Sequence, residues 1–110
     1  SLESIGEAAF YLCSSLSQID IPESVTKIGD CAFYGCSSLS EIAIPHLIKS
    51  IEESVFNGCS LLSKITIPSS VTKIGANAFS RCTRLEHIIL PSSIDIKDIG
   101  LTPYVKVEKI

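Results

Sequence analysis

The sequence predicts an α/β repeat solenoid, and three observations carry that reading. Residues of one kind recur every 23 positions along most of the chain. Each unit contains an I-x-I-P segment whose period-two alternation is the pattern of a short strand. The large apolar side chains are mostly Ile, Leu and Val, with 4 Phe, no Trp and no Met, which suits a series of similar thin layers better than one irregular core.

The repeat shows in five columns. Phe10, Phe33, Phe56 and Phe79 form the first, and Cys13, Cys36, Cys59 and Cys82 the second. Leu16, Leu39, Leu62 and Leu85 follow, then Ile19, Ile42, Ile65 and Ile88. The fifth is Ile21, Ile44, Ile67 and Leu90, each followed by a proline at Pro22, Pro45, Pro68 or Pro91. The I-x-I segment is read as a strand with its Ile side chains inward, and the proline, which has no N–H to donate, ends it. The second half of the unit, V-x-x-I-G-x-x-A-F, spaces its apolar residues by three and four, which predicts an extended piece passing into a helical turn around Asp30 to Gly35. Gly29 and Gly75 are expected where a side chain would hinder the backbone.

One unit cannot bury its own apolar edge, whereas stacked units lay like residues on one another along a continuous core. The strands then form a parallel sheet on one face, with short helical turns on the other. Turns that take more room than strands curve the stack and make the sheet concave. The whole chain, 1–110, reads as one such domain: a partial first unit at 1–15, units at about 16–38, 39–61 and 62–84, and an atypical last unit with a C-terminal cap at 85–110. In the third unit Glu52 replaces the glycine and Val55 the alanine, changes expected to need only a small local adjustment. In the last, Ile96 to Gly100 restores the V-x-x-I-G spacing after two extra residues, and Tyr104 to Ile110 alternates like a final strand. The N-terminal edge, entering mid-unit at Leu2, has no cap; it is expected either to continue an upstream array or to pair with a second chain.

Composition excludes several classes. A formal charge of −3 with scattered Lys and Arg offers no basic patch for nucleic acid. No apolar run approaches the roughly 18 residues of a membrane span, so no membrane insertion is expected. The opening residues Ser1 to Ser4 show no signal-peptide pattern, although such a segment could have been removed or lie upstream.

Candidate chemistry is sparse. Four cysteines in one column lie in a row on successive rungs, so they cannot converge on one ion as zinc ligands must, and no metal is expected. Adjacent pairs could approach disulfide range, but with side chains pointing the same way; buried reduced thiols are the favoured reading. Cys31 stands where the other units have Ala8, Ser54 and Asn77 and is read as a small turn residue. A nucleophilic arrangement would need His46 or His87 beside a nucleophile. His46 follows a strand-ending proline and reads as solvated, and His87 takes an outward strand position, so no catalytic residue and no cofactor are expected.

The outward strand positions carry the functional expectation. Alternation puts Gln18, Glu41, Lys64 and His87 in one column of the concave face, with Asp20, Ala43, Thr66 and Ile89 in the next. They vary where the core columns do not, as a scaffold displaying a recognition surface would. The candidate binding residues are Gln18, Asp20, Glu41, Lys64, Thr66, His87 and Ile89. The alternative is that these are only solvated strand positions, with Glu41 and Lys64 forming a cross-strand pair worth well under about 1 kcal/mol.

The segments from Ile19 to Cys36, IDIPESVTKIGDCAFYGC, and from Ile65 to Phe79, ITIPSSVTKIGANAF, resemble the BspA-like leucine-rich repeats of bacterial and protist surface proteins. The resemblance covers nearly residues 1 to 100. It implies a leucine-rich-repeat horseshoe segment, a non-enzymatic module for protein interaction or adhesion, a host or matrix protein as partner, and a cell-surface or secreted location. Two rival roles come from the residues themselves. An intracellular scaffold fits the reduced thiols, the missing signal and the lack of an N-x-S/T site, and a structural spacer would fit a featureless concave face.

Overall fold

The computed structural model describes residues 2–110; Ser1, where the partial first unit opens, lies outside them. The described residues form a stack of rungs measuring 36 × 28 × 19 Å. Each rung has two places where strands can pair. One is the I-x-I segment, represented by β4 (Lys64–Thr66) and β6 (His87–Leu90) and joined by the C-terminal β7 (Lys106–Lys109). The other is a two-residue strand one side further on: β1 (Ser4–Ile5), β2 (Lys27–Ile28), β3 (Ser50–Ile51) and β5 (Lys73–Ile74). All pairings are parallel, β1 with β2, β3 with β5, and β4 with β6 with β7.

The core is the set of columns. Phe33, Phe56, Phe79, Leu39, Leu62, Ile65 and Ile88 are buried, as are Cys36, Cys59 and Cys82. Phe rings on successive rungs stack nearly parallel, with centroids 5.3 Å apart for Phe10 and Phe33 and 5.7 Å apart for Phe33 and Phe56. Repeating the same residue on every rung gives each ring and aliphatic side chain a like-shaped neighbour above and below, which is how a thin layer reaches close packing.

The expected helical turns do not form; the described residues contain no helix. The reason lies in the backbone. Ala8, Cys31, Ser54 and Asn77 all adopt φ between 55° and 58°, and four residues later Leu12, Gly35, Gly58 and Arg81 again have positive φ. A right-handed helix cannot continue through two left-handed residues. The amides also divide their work. In the second rung Ala32, Tyr34 and Cys36 donate to carbonyls three residues back, while Cys31, Phe33 and Gly35 donate to Glu53, Val55 and Asn57 of the next rung at 2.8–3.0 Å. Half of each turn's amides are thus committed between rungs, where an α-helix would need them within.

Gly29 and Gly75 are required by space rather than by φ. A Cβ at Gly29 would lie 2.6 Å from the Glu7 nitrogen, and one at Gly75 would lie 2.7 Å from the Glu53 nitrogen. Glu52 therefore needs more than a small adjustment. The ladder of two-residue strands is interrupted between β2 and β3, at the junction where Glu52 replaces that glycine. Two more substitutions fall on the same junction. Ser24 and Ser70 hydroxyls donate to the carbonyls of Leu2 and Ile48, and Thr26 and Thr72 hydroxyls to those of Glu3 and Lys49. The third unit has Leu47 and Lys49 at those places, which cannot make these ties.

The last unit also departs from expectation. Ile94, not Ile96, takes the buried place of Val25 and Val71, closing the same turn back to its proline carbonyl. Ile99 accepts from the Phe79 amide as Ala78 accepts from that of Phe56, so it sits in the alanine column instead of restoring the I-G step. The unit is also short: β7 pairs His87 with Lys106, a step of 19 residues against the 23 that separate Lys64 from His87.

Candidate functional site

The face carrying the I-x-I segments bears a groove of about 640 Å³ across three rungs. Gln18, Asp20, Glu41, Lys64 and Thr66 line it, with Ser40 and Ser63 at its edge and Ile19, Ile42 and Ile65 on its floor. Alternation explains the arrangement, since Lys64 and Thr66 are exposed on either side of buried Ile65. His87 and Ile89 lie on the neighbouring strand, in register with Lys64 and Thr66, but outside the groove. They are half-buried, and the His87 Nε2 lies 3.0 Å from a Glu108 carboxylate oxygen. The sequence-predicted set is thus divided between a five-residue groove and a flanking pair.

The groove's backbone is unusual for a stacked sheet. Ser40 donates to the Ser17 carbonyl at 3.3 Å, yet among the described residues no backbone hydrogen bond joins 41–44 to 18–21 or to 64–67. Parallel pairing resumes only from β4 to β6. The same rung is the one whose two-residue strand, β3, does not pair with β2. Sequence reasoning missed this, together with Ser40, Ser63 and the role of Glu108.

Asp20 and Glu41 stand on the N-terminal rungs of this face, Lys64 on the next, and Lys106 and Glu108 together on the last. Glu41 and Lys64 make no ion pair; those present among the described residues are His46 with Glu23 and His87 with Glu108. His46 is exposed, as its position after Pro45 predicts.

The thiols lie away from this face. All five cysteines are free, with Cys13 and Cys31 partly exposed and the other three buried. Cys36, Cys59 and Cys82 donate to the carbonyls of Phe10, Phe33 and Phe56. Burial pushes the Cys36 thiol up to about 11 and the Cys82 thiol up to about 12, and raises Cys59 as well. Such thiols stay protonated and are poor nucleophiles. Among the described residues no cluster of His, Cys, Asp or Glu could hold a metal ion, and no helix is long and apolar enough to cross a membrane.

Comparison with known proteins sets this geometry in context. Residues 1–102 match the family model for the BspA type leucine rich repeat region, in 6 copies. A leucine-rich repeat protein from Bacteroides ovatus is 38% identical over 97% of this chain, with a TM-score of 0.91. A leucine rich cell surface protein from Faecalibacterium prausnitzii is 33% identical over 98%, with a TM-score of 0.89. The leucine rich repeat protein of T. pallidum is 36% identical over 86%, with a TM-score of 0.81. The chain spans 28%, 29% and 44% of the length of these three proteins, respectively. No curated protein sequence matches it.

Proposed function

The chain belongs to the BspA-type leucine-rich repeat family, and from that premise we propose that it is a non-enzymatic binding module that recognises a protein through its grooved strand face. One observation carries the reading. Core columns repeat the same residue from rung to rung, while two exposed columns of the groove change at every rung, from Gln18 to Glu41 to Lys64 and from Asp20 to Ala43 to Thr66. A stack needs the first and gains nothing structural from the second. Leucine-rich repeat proteins in general serve protein interaction, and the repeat motif brings no catalytic residue with it.

A surface setting and an adhesive role, with a host or matrix protein as ligand, are supported by the F. prausnitzii relative, described as a cell surface protein. The buried, protonated thiols favour a second setting, an intracellular scaffold, because they need no oxidising compartment. Either way the groove alone is small beside the roughly 800 Å² per partner of a standard interface. Neighbouring repeats of a longer array would share the work.

The test is a pull-down comparing the wild type with a variant in which Gln18, Asp20, Glu41, Lys64, Thr66, His87 and Ile89 are all serine, after circular dichroism has shown both to be folded. A partner held by the wild type and lost by the variant is expected. Equal capture by both would remove the strand face from the function and favour a structural spacer.

A further inference from the structure

We infer that the groove takes an extended peptide segment of mixed charge, laid across the rungs with a cationic side chain against Asp20 and Glu41 and an anionic one against Lys64. This rests on the reading of the strand face as a protein-binding surface and names the chemistry of what it binds.

Two observations converge. The first is size: a groove of about 640 Å³ spans three rungs, within the roughly 300–1,000 Å³ range of clefts that enclose small ligands. An extended chain rising about 3.3 Å per residue crosses three rungs, each about 4.8 Å from the next, in a few residues.

The second is charge. Asp20, Glu41 and Lys64 line one groove, and none is engaged in an ion pair among the described residues. Opposite charges one rung apart that leave each other unpaired present a dipole, and the complement of a dipole is a ligand carrying both signs. His87 is not part of the cationic side, because its ring is already engaged by Glu108.

The experiment is selection from a random-peptide phage library on three immobilised proteins: wild type, Glu41→Lys and Lys64→Glu. Circular dichroism first checks that each is folded. Both substituted side chains are exposed, so folding is expected to survive. The wild type should enrich peptides carrying both a basic and an acidic residue. Glu41→Lys should shift the enriched set to net acidic, and Lys64→Glu to net basic. A peptide selected on the wild type should lose about tenfold in affinity on either variant and regain it when its matching residue is reversed in charge, a pattern that fades with added salt. Peptides lost on the seven-residue serine variant but indifferent to both charge reversals would overturn this inference and leave the protein-binding reading standing. No enrichment on any protein would overturn this inference alone, leaving the protein-binding reading to the pull-down, and peptides that bind the serine variant equally well would overturn both.

Discussion

The Cys59 thiol donates a hydrogen bond to the Phe33 carbonyl, one rung back, at 3.3 Å. Both residues are fully buried, and the same bond runs from Cys36 to Phe10 and from Cys82 to Phe56. The cysteine column is therefore a polar seam inside an apolar core, tying each layer to the one before it. Replacing Cys59 with alanine removes the tie and leaves a small void, with an expected loss of about 1–2 kcal/mol in chemical denaturation. Cys59→Ser keeps a donor of similar size and should rescue part of that loss. Equal destabilisation by the two variants would mean that volume alone matters there.

The raised thiol pKa values also give a pH dependence whose sign is fixed. The unfolded chain loses thiol protons near the ordinary value of 9.0, while folded Cys36 holds its proton to about 11 and Cys82 to about 12. The native state thus binds more protons than the unfolded one above about pH 9, and stability falls as pH rises through that window. Each buried thiol contributes a slope of about 1.4 kcal/mol per pH unit at most. Denaturation midpoints between pH 8 and 11 check this. A Cys36→Ala, Cys59→Ala, Cys82→Ala variant should be less stable at neutral pH and flatter above pH 9.

Position along the stack should decide the worth of each phenylalanine. Phe56 is sandwiched between Phe33 and Phe79, both with centroids 5.7 Å away, and is fully buried. Phe10 stacks only on Phe33 and is partly exposed. Phe56→Ala is expected to cost about 3–5 kcal/mol and Phe10→Ala less than half as much, measured by urea titration at constant slope.

Glu52→Gly tests the interrupted junction between β2 and β3. The Gly29 amide donates to the Ile5 carbonyl and the Gly75 amide to that of Ile51, and a glycine at 52 removes the Cβ that stands where two backbones must approach. The amide at 52 should then bond to the Ile28 carbonyl and exchange its hydrogen more slowly by NMR. Global stability should change by less than about 1 kcal/mol, because the greater chain entropy of glycine offsets the new bond. Unchanged exchange at 52 would shift the cause of the gap to Leu47 and Lys49.

The core was legible in the sequence because each of its columns has one tenant: Phe10 to Phe79, Leu16 to Leu85 and Ile19 to Ile88 announce their burial by recurring. The outward face was legible for the complementary reason, that alternation around Ile65 leaves Lys64 and Thr66 no inward option. The turns were misread because spacing by three and four says nothing of φ. Ala8, Cys31, Ser54 and Asn77 hold left-handed conformations that no shared residue type declares, although glycine at 35 and 58 hints at the second left-handed position. The last unit misled because Ile94, Ile96 and Ile99 offer two workable registers. Only the amides of Ile94 and Phe79 choose between them. The interrupted junction between β2 and β3 coincides with three scattered substitutions, at 47, 49 and 52, whose common location appears only when the units are stacked.

The division of the turn amides makes the length of this molecule a countable quantity. Because alternate N–H groups close their own turn and the others reach the next layer, a single inserted or deleted residue would exchange the two sets and disturb the layers on both sides of it. Adding or removing a whole unit of 23 residues disturbs neither. The array can therefore grow or shrink by duplication and recombination in integral steps that keep the two sets of amides in phase. The 19-residue step from His87 to Lys106 is the point at which that arithmetic no longer holds.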